Sequence, residues 1–378
     1  MIFSVLCTSK ISLASQTAIK VVNRQLIVDG APFIMKGVCY NPVRKGETEE
    51  NGLIIKSPKP EDLCTIEQDF KMMREAGINT IRTYTPILDR QILNLLSKYK
   101  LKTIVPVFSH YPRDTEVETA IIVNILKDEP STLIWEIGNE WDLNHFYTHD
   151  STEWRLAHLC HPTSDEVIIN RILNSAPVVQ ELSSEEEMEI IRNLVSVIRE
   201  QGNNHPISTN ILDPNRTVST PEPTDYNALS ALVDLYGINV YDWLSFGARF
   251  SFWEQLSSKP YYVGEFGADS WNQNSNSYDP SSQEEADKDL LGEVMSNLSA
   301  KNQNNILLGG CVFEWNDEWW KDPTGSPETH DTNGFRPDSG GPFPDHCFTE
   351  EWWGIVDIKR NPRPVYYSIK ELYTQQSD

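Results

Sequence analysis

The sequence is short of positive charge. Its 32 lysines and arginines face 55 aspartates and glutamates, which gives a formal net charge of −23 at pH 7. Nucleic acids and anionic membrane surfaces need a surplus of basic residues in the proteins that bind them. The composition therefore argues against nucleic acid as a partner, whereas a neutral substrate meets no such penalty.

Long apolar runs and paired cysteines are also missing. No segment beyond the N-terminus approaches the ~20 apolar residues that cross a bilayer, so we predict no membrane insertion. The six cysteines contain no CxxC pair, and we predict that most of them are buried thiols. A bridge between two loop cysteines, such as Cys160 with Cys347, stays open.

Two stretches rich in histidine or acid were considered as metal sites. His145, His149, His158 and His161 lie close together in the sequence, but they lack a recognisable ligand spacing. The acidic loop Asp331–Asp345 could hold calcium. Neither pattern is specific, so we predict no metal and no cofactor, with surface or sugar-contacting roles for the histidines.

The first 18 residues differ from the rest of the chain. A short apolar run at residues 2–7 precedes the segment LASQTA, which resembles the small-residue region before a secretory cleavage site. The run lacks a basic region before it, so it fits the tail of a signal peptide or a disordered N-terminus. We expect residues 1–18 to lie outside the folded domain, and a secreted or periplasmic location is favoured over a cytoplasmic one.

From residue 19 onward, strand and helix patterns alternate after a hairpin pattern with a turn at Asp29–Gly30. Eight strands are predicted: Phe33–Tyr40, Ile78–Tyr84, Leu101–Ser109, Ser131–Trp141, His205–Ile211, Leu235–Tyr241, Lys259–Ala268 and Ile306–Trp315. Alternating strands and helices favour parallel pairing with right-handed crossovers, and eight is the number at which such a sheet closes. We predict an α/β fold, a single (β/α)8 TIM barrel over residues 19–378, with a short N-terminal hairpin and long loops on the C-terminal face.

Two of these strands each deliver a glutamate at their C-terminal end. In Ser131–Trp141 the apolar run stops just before Glu140, and Lys259–Ala268 is a short apolar strand that carries Glu265. A charged side chain at the end of a buried strand is costly unless it is used. Two such carboxylates are what acid-assisted cleavage of a glycosidic bond requires.

These motifs resemble those of the clan A glycoside hydrolases. Asn139–Glu140 matches that clan's Asn–Glu pair on the fourth barrel strand, and Glu265 matches its nucleophile on the seventh. Three further positions match on strands two, six and eight: Arg82, Tyr241 and Trp315. The runs GINTIRTY, GEFG and GGCVFEW are similar to the barrel domains of glycoside hydrolase families two and five and of the fungal β-1,3-glucanosyltransferases. The resemblance covers about residues 20–375, but the sequence shows neither the β-sandwich nor the Cys-rich module of those proteins, so it does not imply a substrate.

The resemblance and the chemistry together assign roles. Strands four and seven face each other across a barrel, so Glu140 as acid/base and Glu265 as nucleophile can converge over its mouth. Arg82 and Tyr241 are expected to hold Glu265 ionised by charge and hydrogen bond. Asn139 has the donor and the acceptor needed to bind a sugar 2-hydroxyl.

A third carboxylate needs a partner. Side chains alternate along a strand, so Glu136 is expected on the same face as Gly138 and Glu140. It would then be an inward-facing charge, and Arg82 or Lys36 is its expected partner.

Several tryptophans fall at or beyond strand ends, where they could stack on pyranose rings. They are Trp141, Trp243, Trp271, Trp315, Trp319 and Trp320. Of these, we select Trp141, Trp243, Trp271 and Trp315 as substrate-binding candidates, while Trp135 is expected in the core.

We predict a retaining β-glycosidase that hydrolyses the O-glycosidic bonds of a β-linked oligo- or polysaccharide, of β-glucan or β-mannan type, by double displacement. The alternative is a β-glucan transglycosylase, in which a sugar hydroxyl intercepts the covalent intermediate and the same two glutamates serve. A non-catalytic carbohydrate-binding barrel is disfavoured because both carboxylates are present. The sugar, the linkage, internal or terminal cleavage and the oligomeric state stay open.

Overall fold

The computed structural model describes residues 18–55, 57–108, 115–140, 159–161, 163–167, 169–170, 184–201, 204–214, 226–322, 324–337 and 340–375. Within them, eight parallel strands close into a barrel. The barrel strands are β1 (Met35–Cys39), β2 (Thr80–Arg82), β3 (Lys102–Pro106), β4 (Thr132–Asn139), β5 (Ile207–Leu212), β6 (Leu235–Asn239), β7 (Tyr261–Phe266) and β8 (Leu307–Val312). Each of the eight predicted strands is confirmed, and β8 pairs with β1 to close the sheet.

A helix follows each of these strands. They are α1 (Pro60–Glu75), α2 (Arg90–Tyr99), α3 (Thr115–Leu126), α4 (Ser184–Glu200), α5 (Tyr226–Leu232), α6 (Arg249–Leu256), α7 (Pro280–Ser296) and α8 (Pro364–Thr374). At the start of α7, Asp279 accepts a hydrogen bond from the Ser282 amide at 3.2 Å and Pro280 opens the helix.

The N-terminal hairpin is confirmed and contains one more turn than expected. The strands Ile19–Val22, Gln25–Val28 and Ala31–Pro32 form an antiparallel sheet. The predicted turn at Asp29–Gly30 has φ values of 51° and 87°, and a second turn at Asn23–Arg24 has φ values of 50° and 63°. Both are the left-handed conformations that suit two-residue hairpin loops.

Two apolar clusters make up the core. The larger one lies between the barrel and its helices and includes Ile81 and Val263 of the strands with Phe70 and Leu290 of the helices. The smaller one fills the barrel interior and contains Ile19 of the N-terminal sheet. The hairpin therefore covers the N-terminal end of the barrel, which leaves the C-terminal end for the site.

A disulfide joins two loops on the C-terminal side of the barrel. Cys160 and Cys347 are bonded, which settles the pairing that the sequence left open. Leu159 also pairs with Phe335, and the Cys160 amide donates to the Gly334 carbonyl at 2.8 Å. The long segment after β4 is thus tied to the loop after β8.

Among the cysteines that the structure describes, three are free, and of these Cys64 is exposed rather than buried. Most of residues 141–183, Trp141 among them, lie outside the described residues. In the part of the chain that the structure describes, no helix is both long and apolar enough to cross a membrane.

Candidate active site

Arg82, the last residue of β2, is the centre of the site. It is fully buried, at 0% exposure. Its Nε and Nη2 donate to the two oxygens of Glu136 at 3.0 and 2.8 Å, and its Nη1 donates to Glu265 Oε1 at 2.6 Å. Nη2 also donates to Asn139 Oδ1 at 2.7 Å. Of the two partners expected for Glu136, the structure selects Arg82, while Lys36 donates to the Tyr373 carbonyl.

Glu265 is bonded on both carboxylate oxygens. Oε1 accepts from Arg82 and from the Tyr84 hydroxyl at 2.7 Å, and Oε2 accepts from the Tyr241 hydroxyl at 2.6 Å. Burial by itself raises the pKa of Glu265, but the Arg82 charge and the hydrogen bonds from the tyrosines and Arg82 outweigh it and lower the pKa below its ordinary value. The carboxylate is therefore ionised at neutral pH, as the sequence analysis expected for a nucleophile.

Glu140 follows β4 and is approached by an amide. Asn239 Nδ2 donates to Glu140 Oε1 at 2.9 Å and lies 3.1 Å from Asn139 Oδ1. The Glu140 amide donates to the Asn210 carbonyl of β5 at 3.0 Å. Glu140 itself has a φ of 49°, a left-handed conformation that is uncommon for a residue with a side chain.

The inward- and outward-facing residues of β4 do not follow the simple alternation that was expected. Ile137 pairs with Thr209 and Asn139 pairs with Asn210, so β4 has one extra residue at Gly138, whose φ is 71°. Such a bulge reverses the alternation after it. Asn139 therefore joins Glu136 on Arg82, although strict alternation would have put the two on opposite faces.

A bulge of the same kind occurs in β7, where the pairing with β6 shifts between Val263 and Glu265. The extra residue is Gly264, and a Cβ there would collide with the side-chain amides of Asn210 and Asn239. Only glycine fits, because these asparagines fill the space beneath the carboxylates.

The two glutamates are joined by a short series of hydrogen-bonded groups. Glu140 contacts Asn239, Asn239 contacts Asn139, Asn139 contacts Arg82, and Arg82 contacts Glu265. Four of these five residues were predicted as site residues from the strand ends, whereas Asn239, and Tyr84 beside Glu265, were missed. A usable signal exists, because Tyr84 and Asn239 lie two positions from Arg82 and Tyr241, and a period of two puts such pairs on one face.

The four tryptophans selected as substrate-binding candidates differ in their surroundings. Trp243, two residues after Tyr241, is 36% exposed, and its ring stacks on His346 with centroids 4.4 Å apart. Trp271 packs on Trp352 with centroids 4.8 Å apart. Trp141 lies outside the described residues.

Trp315 is not brought into the site. It is 0% exposed and packs in the larger core cluster with its ring 6.3 Å from Tyr366 of α8. Phe313 occupies the corresponding inward position at the end of β8, with its ring edge-on to Tyr241 at 6.0 Å. Trp315, which the resemblance matched to the clan's position on strand eight, thus lies in the core.

A charged cluster that the sequence analysis missed lies beside Phe313. Lys321 Nζ lies 4.4 Å from the centre of the Phe313 ring, 2.6 Å from Glu318 Oε2 and 3.9 Å from Glu350 Oε2. Burial raises the pKa of Glu350, Lys321 opposes the rise, and the charges of Glu318 and Glu265 add to it. Glu350 is therefore close enough to Glu265 for their charges to interact.

In the acidic loop considered for calcium, carboxylates accept hydrogen bonds from backbone amides of the chain itself. Asp331 accepts from the Ser326 amide at 2.7 Å, and Asp345 accepts from the Cys347 amide at 2.9 Å. Among the described residues, no three histidine, cysteine, aspartate or glutamate side chains group as a metal site requires. His145, His149 and His158 lie outside those residues.

No protein-family model and no curated protein matches the chain. Among solved structures, the chain is similar to a family two β-galacturonidase from Eisenbergiella tayi, with a TM-score of 0.59 and 16% identity over 96% of this chain and 55% of that one. It is also similar to a β-D-glucuronidase of Dictyoglomus thermophilum, with a TM-score of 0.55 and 16% identity over 96% of this chain and 54% of that one. A β-glucuronidase of Faecalibacterium prausnitzii gives a TM-score of 0.56 and 14% identity over 95% and 52% of the two chains.

This chain spans about half the length of the solved structures that it matches. At this level of identity the likeness concerns the fold. It confirms, at the level of architecture, the resemblance to the barrel of clan A glycoside hydrolases that the sequence motifs indicated.

Proposed function

We propose that the chain is a retaining β-glycosidase, with Glu265 as nucleophile and Glu140 as acid/base. The observation that carries the proposal is the state of Glu265, which Arg82 and two tyrosine hydroxyls hold ionised at the end of β7. Glu140, at the end of β4, belongs to the same hydrogen-bonded series through Asn239, Asn139 and Arg82. A nucleophile must be ionised, while the acid must keep a proton near neutral pH. The fold shared with β-glycosidases supports the same reading.

In the proposed reaction, Glu265 attacks the anomeric carbon while the protonated Glu140 gives its proton to the departing glycosidic oxygen. The C–O bond to the leaving group breaks as the bond to the Glu265 carboxylate forms. In the second half, Glu140 takes a proton from water, the water oxygen bonds to the anomeric carbon, and Glu265 is released. The product keeps the β configuration because the carbon is inverted twice.

Asn139 is proposed to bind the sugar 2-hydroxyl. Its Oδ1 accepts from Arg82 Nη2 at 2.7 Å and from Asn239 Nδ2 at 3.1 Å. These two donors determine which end of the amide faces the barrel interior, so Nδ2 is turned away from them. A donor in that position, between the two glutamates, fits a hydroxyl on the carbon next to the reacting one.

A neutral sugar is favoured over a uronic acid. Arg82 is shared between Glu136 and Glu265, and Lys321 between Glu318 and Glu350. Within the described part of the chain, each of these two cations thus lies against two carboxylates, which is unfavourable for a further carboxylate on the sugar. The solved structures named above are called glucuronidases and a galacturonidase, so the proposed substrate differs from the uronic acids in their names. We therefore keep a β-glucan or β-mannan as the proposed substrate class.

Trp243 is proposed as an outer stacking surface for a neighbouring sugar. Its ring is supported by His346 on one side and by the edge of Phe343, with centroids 4.9 Å apart. A partly exposed, supported indole ring is a suitable surface for a pyranose face. Such a surface favours an oligo- or polysaccharide over a single sugar with a small leaving group.

The test is a panel of aryl β-glucoside, β-mannoside, β-glucuronide and β-galacturonide with soluble β-glucan and β-mannan, and products resolved by mass and NMR. We expect turnover of a neutral β-glycoside, with the β anomer formed first, and loss of turnover in Glu265→Gln. Glu254→Gln, which changes a surface carboxylate paired with Arg24, is the matched control and should stay active. First formation of the α anomer, or full activity in Glu265→Gln, would contradict the mechanism. Activity on uronides alone would contradict the substrate class, and larger transfer products would identify a transglycosylase.

A further inference from the structure

We propose that Glu136 is a positioning residue that sets the basicity of Glu265 by competing with it for Arg82. The inference rests on the proposed function and adds to it a third carboxylate that does not touch the substrate. Glu136 lies in the middle of β4 and is 2% exposed, so its charge is enclosed by the barrel.

Glu136 binds Arg82 more extensively than Glu265 does. Its oxygens accept from Nε at 3.0 Å and from Nη2 at 2.8 Å, which is a bidentate, side-on arrangement. Only Nη1 is left for Glu265, at 2.6 Å. Glu136 therefore fixes the plane of the guanidinium and thereby the direction in which Nη1 points.

The charges at this point do not cancel. One guanidinium faces two carboxylates, with Arg82 at 0%, Glu136 at 2% and Glu265 at 6% exposure. Within a barrel interior such charges interact more strongly than in water. The negative charge of Glu136 offsets part of the stabilisation that Arg82 gives to the Glu265 anion. Glu265 is then ionised yet remains a better nucleophile than a carboxylate that had the whole cation to itself.

Tyr262 supports this arrangement from β7. Its hydroxyl donates to Glu136 Oε2 and lies 3.2 Å from Ser208 Oγ of β5. The donated hydrogen bond stabilises the negative charge of Glu136 in a place where water does not reach it. The neighbouring Tyr261 points to the other side of the strand and donates to the Trp253 carbonyl at 3.0 Å.

Other titratable groups face the two carboxylates and have to be kept unchanged in a test. Those around Glu265 are Cys39 of β1, Tyr84 after β2, Tyr241 after β6 and Glu350 of the loop after β8. Glu140 after β4 interacts with Tyr241. Cys311 of β8 is close enough to interact with both Glu136 and Glu265. None of these is altered by the substitutions below.

The experiment compares the pH dependence of kcat/KM in Glu136→Gln and Tyr262→Phe with that of the unchanged protein, using the best neutral aryl β-glycoside of the panel. Glu136→Gln keeps an acceptor for Arg82 but removes the charge, so the acid limb should move to lower pH by about one unit. Tyr262→Phe leaves the charges in place but removes the hydrogen bond donated to Glu136. Glu136 then binds Arg82 more strongly, and Arg82 stabilises the Glu265 anion less. Its acid limb should move to higher pH, by about half a unit. Tyr261→Phe is the matched control and should leave the limb where it is.

Opposite shifts in the two variants support the inference. An unmoved acid limb in both, or shifts in the same direction, would overturn it, because a residue that only supports the fold changes the amount of active protein and not the pH at which it titrates. If Glu136→Gln does not fold, as judged by its thermal unfolding, Tyr262→Phe decides alone, and an unmoved limb there overturns the proposal. Failure of the proposed function looks different, since the unchanged protein would then turn over no β-glycoside of the panel.

Discussion

Replacing Tyr241 with phenylalanine should raise the pH at which the enzyme becomes active. The Tyr241 hydroxyl donates to Glu265 Oε2 at 2.6 Å, and burial raises the pKa of this phenol well above its ordinary value, so it remains a donor. The ring is held edge-on by Phe348 and Trp353, each with centroids 5.1 Å away. Phenylalanine keeps that packing, and the substitution therefore removes one hydrogen bond and little else.

The expected size follows from the strength of that bond. A hydrogen bond to a charged group contributes about 1.5–3 kcal/mol, and a shift of one pKa unit corresponds to about 1.4 kcal/mol. The bond favours the ionised form of Glu265, so its loss raises the pKa of Glu265 by about one to two units. The acid limb of kcat/KM should move to higher pH by the same amount, with activity largely restored above the new pKa.

The loss of this hydrogen bond should also lower the stability of the folded protein at neutral pH. Because the pKa of Glu265 is lowered in the folded state, this group stabilises the fold above its unfolded pKa, and the contribution is lost as the pH falls through the folded value. Tyr241→Phe should therefore lower the Tm at neutral pH and lower it less in acid, which thermal unfolding at a series of pH values can measure.

The assay is kcat/KM for an activated aryl β-glycoside across acidic and neutral pH. Tyr84→Phe, which removes the corresponding bond to Oε1 of Glu265, should shift the limb in the same direction. Tyr366→Phe is the control, because its hydroxyl bonds the Met72 carbonyl away from the site. An acid limb that stays in place in Tyr241→Phe, or moves to lower pH, would refute the assignment of Glu265 as the ionised nucleophile.

Three further outcomes are expected. Glu140→Ala should lose roughly 10²–10⁴-fold on poor leaving groups, lose much less on activated aryl glycosides, and recover turnover with azide as a β-glycosyl azide; an α-glycosyl azide would count against its role as acid/base. Cys160→Ser should lower the Tm because a disulfide of this kind contributes about 2–4 kcal/mol, whereas Cys64→Ser, at an exposed free thiol, should not; equal Tm values would show that the loop connection does not stabilise the fold. We also propose that residues 19–378 are one domain, so limited proteolysis should cut the long loops without releasing a second folded fragment, and recovery of two such fragments would be contrary to it.

Much of the barrel was predictable because strand burial leaves a strong pattern. Each barrel strand is a short apolar run between turn residues, and helix and strand periods alternate along the chain, so all eight strands were found. Glu140 and Glu265 were proposed as site residues for a related reason, since a carboxylate at the end of a buried apolar run is conspicuous. An inward charge needs a partner, which limited the expected partners of Glu136 to Arg82 and Lys36, and the structure shows Arg82.

What the sequence did not show depends on local departures from regular geometry and on long-range packing. The bulge at Gly138 puts Asn139 on the same face as Glu136. Glu140, with its φ of 49°, also reaches Asn239, and a period of two cannot express that. Trp315 was selected from a resemblance, whereas the register of the chain after β8 puts Phe313 in the inward position and Trp315 in the core.

The cluster around Lys321 could not be predicted for a different reason. It is built from the loop after β8, which has no periodic pattern, and Glu350 lies 29 residues after Lys321 in the chain. Tertiary structure alone brings these charges together beside Phe313.

The central claim is that Glu265 forms a covalent bond to the sugar, and trapping that bond tests it most directly. The unchanged protein is incubated with the 2-fluoro aryl β-glycoside of the sugar it turns over, and the labelled peptide is identified by mass spectrometry. The account predicts one sugar per chain, attached at Glu265, with no label in Glu265→Gln. A label on Glu140 or on the buried Asp269, or steady inactivation without a covalent adduct, would contradict it.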